Sequence, residues 1–107
     1  MARITPDELQ AMLGAGVDVT IVDVRTELAT RIDSIPGVLH IPAEDLPARH
    51  PEIPRDREIV LFCTCPNEAS AARAALILRK YGITRVRPLQ GGTEAWRKIS
   101  NPNPFPV

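Results

Sequence analysis

One α/β domain with a central, mainly parallel sheet flanked by helices on both faces is what the chain of 107 residues predicts. Three observations predict it. Short runs rich in Val, Ile and Leu alternate with helical patterns along the whole chain. Those runs are continuously apolar, as strands covered on both faces are. The helical stretches between them open and close on capping residues.

The elements follow in order. Thr5-Pro6-Asp7-Glu8 is a capping box in sequence form, with Thr5 as N-cap, Pro6 at the first helical position and Glu8 reaching back. Leu9, Met12 and Leu13 supply the apolar stripe, and Gly14 and Gly16 end the helix. Val19 to Val24 reads as a buried strand and "VLHIP" as a second. "EIVLFC", Glu58 to Cys63, is the third and strongest. Ala69 to Tyr81 reads as a helix with basic residues late and Gly82 as its stop. "TRVRPLQ" gives a last short strand, and "GGTEAWRK" a turn and a helix capped by Thr93. We read residues 1–107 as one domain, with a core over about 5–98 and a proline-rich tail over 99–107.

Bulk properties narrow the function classes. Apolar content is 44% and charged content 24%, with zero formal net charge, so no footprint for nucleic acid appears. No apolar stretch approaches the roughly 18 residues that span a bilayer. "MARITPDELQ" lacks a signal-peptide apolar region, which predicts a cytoplasmic chain and two cysteines kept as thiols. A monomer is expected. A metal is not: one Cys-X-Cys supplies two ligands, and His40 and His50 have no ligand spacing of the usual kind.

In an open sheet of this class the site lies at the carboxyl ends of the strands. That rule gathers Asp23-Val24-Arg25, His40 and Cys63-Thr64-Cys65 on one rim. A thiol nucleophile must ionise near neutral pH, although a free cysteine titrates at about 8.5. The amino end of the helix beginning at Ala69 favours an anion beside Cys63. The competing reading makes Cys63 a small buried hydrophobe.

The order "IVDVRTE", "SIPGVLHIP", "EIVLFC", the alanine-rich helix and "YGITRVRPLQGGTEAW" resembles a single rhodanese domain from Thr5 to about Lys98. The resemblance implies sulfur transfer without a cofactor. A cysteine thiolate takes a sulfane sulfur from thiosulfate or a persulfide donor and passes it to cyanide or another thiol. By position it assigns Cys63 as nucleophile, Thr64, Pro66, Asn67, Glu68 and Ala69 as the active-site loop, and Asp23 and Arg25 as a supporting ion pair. Arg73, on the first full turn of the helix, is a further supporting cation that would attract an anionic donor. Arg97 and Lys98 read as an exposed face, Trp96 as core, and Gly91 and Gly92 as a tight turn near the site.

The sequence departs from the family pattern in one place. The usual loop runs from cysteine through four residues to an arginine; counted from Cys63 that position is Glu68, and counted from Cys65 it is Ser70. Strand-end placement favours Cys63 and loop length favours Cys65, so Cys65 stays open as alternative nucleophile or resolving thiol. Residues i and i+2 of a strand have Cα atoms about 6.6–6.8 Å apart, the limit for a disulfide, which leaves a paired-thiol redox domain possible in principle. Glu68 and Pro66 weaken the cradle for a dianion, one by its charge and one by its missing N–H, so weak use of thiosulfate is expected. A binding or sensing module with little turnover is the alternative function. A phosphatase or arsenate reductase, which needs the loop arginine, is disfavoured. "CPNEASAAR" is also similar to rhodanese domains attached to DedA-type membrane proteins, which implies a place at the cytoplasmic membrane face as part of a larger chain.

Overall fold

The computed structural model describes residues 3–35, 37–64 and 68–100, with Ser100 described by its backbone alone. Helix α1 spans Pro6–Gly14, and the capping box forms as expected: Glu8 N–H donates to Thr5 Oγ1 at 3.1 Å and Thr5 N–H to Glu8 Oε1 at 3.0 Å. Strand β1 (Val19–Asp23), helix α2 (Glu27–Ile32) and strand β2 (Leu39–His40) follow. Two short 3-10 turns, Ala43–Asp45 and His50–Glu52, flank helix α3 (Leu46–Arg49). Strand β3 (Glu58–Phe62), helix α4 (Ala69–Lys80), strand β4 (Val86–Pro88) and helix α5 (Gly92–Ser100) complete the order.

Among the described residues the strands form one parallel sheet in the order β2-β1-β3-β4. Ile4 adds a parallel bridge to Leu89 at the β4 edge. Side chains alternate across β3. Ile59 and Leu61 enter a core with Leu46 of α3 and Ala71, Ala74, Ala75 and Leu78 of α4. Val60 and Phe62 enter a second core with Leu9 of α1 and Trp96 of α5. Helices therefore cover both faces, which is why the strand sequences are apolar throughout. Alanines on the inner side of α4 let it lie close on the sheet, and Leu78, fully buried, contributes about 2 kcal/mol by its transfer from water.

The differences from expectation have physical reasons. Strands β1 and β3 close at Asp23 and Phe62, one residue early, because the chain turns into the loops that build the rim. Helix α2 and the 43–52 segment carried no readable period: α2 buries none of its residues, and Leu28 and Ile32 point outward. Thr93 does not cap α5. The helix already begins at Gly92, and the Thr93 hydroxyl is buried without a hydrogen-bond partner among the described residues. Ile99 and Ser100 continue α5, so the tail begins later than residue 99. Residues 101–107 lie outside the described residues.

Candidate active site

At the carboxyl end of β1 the chain builds a buried ion pair from adjacent rim residues. Arg25 donates through Nε to both Asp23 oxygens, at 3.0 and 3.1 Å, and through Nη2 to Asp23 Oδ2 at 2.8 Å. Its backbone N–H also donates to Asp23 Oδ1 at 2.9 Å. The side chains are 4% and 1% exposed, so this pair is screened little by solvent. Arg25 reaches onward through Nη1 to Asp33 Oδ2 and through Nη2 to the Asp33 carbonyl. Asp33 in turn accepts from Arg97 of α5. Hydrogen bonds donated to the Asp23 carboxylate hold the Arg25 guanidinium above its ordinary pKa. Burial pushes the Asp33 carboxyl up, but the bonds from Arg97 and Arg25 outweigh it and hold it below the usual range.

These partners decide two roles. Arg25 is committed to two carboxylates and a carbonyl, which makes it a structural clamp between β1 and the loop after α2. The reading of Arg97 as an exposed face and nothing more is corrected: it donates to Asp33 from α5 and so closes that clamp. His40 joins the same rim, with Nε2 3.2 Å from the Arg25 carbonyl and Nδ1 3.3 Å from Thr30 Oγ1.

Cys63 follows β3 directly, beside the turn that opens α5. The Cys63 carbonyl accepts from the Thr93 N–H at 3.1 Å. The approach is so close that a Cβ on Gly92 would lie 2.1 Å from that oxygen, and Gly92 has φ +57°. Glycine at 92 is thus a condition for the strand end and the helix start to meet. Cys63 is 2% exposed and packs in the same core as Val24, Leu61 and Ala74. It also lines two cavities.

The larger, about 350 Å³, opens toward β1 and α4. Its walls are apolar from Val24, Ala29, Pro42, Ala43 and Ile77, and its polar lining residues are Arg25, Thr26, Glu44, Thr64, Ser70 and Arg73. Arg73 is exposed and has no ion pair among the described residues. The smaller, about 290 Å³, opens toward the turn after β4, lined by Cys63, Thr64, Glu68, Gly91–Thr93 and Glu94. The structure thus brings Cys63, Thr64, Ser70 and Arg73 together. Arg25 lines the same cleft with its guanidinium held by Asp23 and Asp33, and Asp23 does not line it.

Glu68 sits at the entry to α4 in a left-handed conformation (φ 54°, ψ 37°), uncommon for a residue with a side chain. Its carboxylate accepts from Arg3 at 2.6 Å, with Glu68 nearly buried and Arg3 half exposed. Sequence reasoning missed this pair, since nothing local links residues so far apart; Arg3 had only its place before the first cap. Ala69 is the exposed first residue of α4. Cys65, Pro66 and Asn67, and with them the choice between the two thiols, lie outside the described residues. Among the described residues no cluster of His, Cys, Asp and Glu is arranged to hold a metal, and no helix is long and apolar enough to cross a membrane.

Comparison with known proteins adds four findings. Residues 5–99 match the rhodanese-like domain family. A protein named sulfurtransferase from Allochromatium vinosum is 35% identical over 100 residues, covering 94% of this chain and 92% of that one. The thiosulfate sulfurtransferase GlpE of Pseudomonas syringae is 30% identical over 95 residues, covering 89% and 86%. Among solved structures, a rhodanese-related protein from Thermoplasma volcanium superposes with a TM-score of 0.70 at 26% identity, over 92% of each chain.

Proposed function

The chain belongs to the rhodanese-like domain family, and from that premise we propose that it is a sulfurtransferase that works through a persulfide on Cys63. One observation carries the reading: Cys63 stands immediately after β3, at the wall of a cleft at the carboxyl ends of the parallel strands, with Ser70 and Arg73 of α4 on the same cleft. The names of the sulfurtransferase relatives support the same chemistry.

The reaction has two halves. In the first, the Cys63 thiolate attacks the outer sulfur of thiosulfate; the S–S bond of the donor breaks, sulfite leaves with the electron pair, and Cys63 carries the persulfide. In the second, an acceptor thiolate or cyanide attacks the terminal sulfur, and the Cys63 thiolate leaves. Arg73 attracts the anionic donor at the mouth of the cleft, a task that Arg25 is too fully engaged to share. The amino end of α4 adds favourable N–H groups for the anion on sulfur. Glu68 is neutralised by Arg3 and adds no cation, so a persulfide donor outperforms thiosulfate. The DedA-like phrase suggests in addition a tethered chain; an intact gene without upstream hydrophobic spans would dismiss that part.

The test is mass spectrometry of the protein after incubation with thiosulfate and, separately, with a persulfide donor. A gain of one sulfur in the wild type and in Cys65→Ser, and none in Cys63→Ser, is the expected pattern. Loss confined to Cys65→Ser transfers the nucleophile to Cys65. No adduct from any donor overturns the proposal in favour of a binding module.

A further inference from the structure

Helix α2 carries an apolar ridge that the described residues leave uncovered. Leu28 is 65% exposed and Ile32 79%, and at a spacing of four positions they lie on one face of the helix. Glu27 and Arg31 flank them and bond to each other at 3.0 Å, so neither offers an unpaired charge beside the ridge. Two contacts hold the end of α5 close to this helix. Arg97 donates to Asp33, the residue directly after Ile32. Ile99 packs against the same core cluster as Ile35 and Val38 of the loop that follows α2. Ser100 stands one helical turn, about 4.5 Å, past Arg97. The chain then continues as Asn101-Pro102-Asn103-Pro104-Phe105-Pro106-Val107, a segment without a charged side chain.

We propose that residues 101–107 dock on this ridge, with the Phe105 ring over Leu28 and Ile32. The length suffices: an extended proline-rich chain advances about 3.1 Å per residue, which gives Phe105 a reach of about 15 Å from Ser100. Asn101, Asn103 and Phe105 each precede a proline, a position that favours extended backbone, so docking removes little conformational freedom from the segment. The chemistry matches as well, since an uncharged segment bearing one phenyl ring, three prolines and a valine meets two aliphatic side chains. A second copy of the chain fits less well: two side chains supply far less than the roughly 800 Å² per partner of a stable association. Thr26, the N-cap of α2, and Ala29 line the larger cleft, so the docked segment braces a helix that forms part of that cleft. Docking of this kind holds whether or not Cys63 carries sulfur.

Methyl NMR on the full chain tests this, with Leu and Ile methyl groups labelled and nuclear Overhauser contacts read from the Phe105 ring. Contacts to the Leu28 and Ile32 methyls are expected, unchanged on dilution and lost in Phe105→Ser. Thermal unfolding supplies a second readout. Phe105→Ser should lower Tm by about 5 °C in the wild type. It should do the same in Leu76→Ser, a control at an exposed leucine of α4, and nothing in the double variant Leu28→Ser/Ile32→Ser. A Phe105 ring that contacts neither ridge residue overturns the proposal, as does an equal loss of Tm in the ridge double variant and the wild type. Contacts that arise only between differently labelled chains in a mixed sample assign the ridge to a second copy and overturn it too.

Discussion

Replacing Gly92 by alanine measures how tightly the strand that delivers Cys63 is locked to the helix that follows β4. Three costs add. Gly92 lies at φ +57°, where a side chain costs about 1 kcal/mol. The new Cβ would stand 2.1 Å from the Cys63 carbonyl oxygen. A relaxed carbon–oxygen contact is about 3.3 Å, so the two backbones must part by about 1 Å. That displacement strains the packing by about 1–3 kcal/mol and weakens the Thr93 N–H bond to Cys63, worth about 1 kcal/mol. The sum is about 3–5 kcal/mol, or a fall in Tm of about 15–25 °C for a domain of this size. Gly16→Ala supplies the control, since Gly16 has φ +76° but no heavy atom within 4 Å of its added Cβ. It should lose only the conformational part, about 5 °C. Thermal unfolding by circular dichroism reads both variants. Iodoacetamide labelling in a Cys65→Ser background should show Cys63 reacting faster in Gly92→Ala than in wild type. Equal shifts in Tm for the two alanine variants would refute the claim that contact with Cys63, beyond backbone conformation, requires glycine at 92.

Asp23→Asn leaves Arg25 buried without its main counter-charge and should lower stability by about 3 kcal/mol in chemical denaturation, since breaking a buried pair costs more than the pair contributes. Arg73→Gln should raise KM for thiosulfate about tenfold through loss of one charge-assisted contact, with kcat and the use of a neutral persulfide donor little changed in steady-state assays. The Asp33 carboxyl is held below its ordinary pKa by Arg97 and Arg25, so its contribution is present above the ordinary carboxylate range and lost as pH falls through the lowered folded value. Thermal melts across pH should therefore show Asp33→Asn less stable than wild type at neutral pH, with the gap closing as pH falls below the ordinary carboxylate range.

Much of the frame was legible from residue order. Continuous apolar runs mark strands covered on both faces, and the cap at Thr5 and the stop at Gly82 bound their helices, because backbone groups at helix ends need local partners. The placement of Cys63 followed from the same logic, since a buried apolar strand sets its own end. Thr93 misled for an instructive reason: a Thr after two glycines satisfies the local rule for a cap, yet Gly92 was already taken into the helix by its contact with the Cys63 carbonyl.

Local chemistry, then, determined the α/β architecture, the strand that presents Cys63 and the Asp23–Arg25 pair, whose partners lie within a few residues of one another. Tertiary structure alone decided that Arg3 neutralises Glu68, that Arg97 and Asp33 complete the hold on Arg25, and that the Cys63 carbonyl meets the turn that opens α5. Those contacts join residues tens of positions apart. No periodicity or cap encodes them; they exist because the sheet brings strand ends and helix starts to one edge.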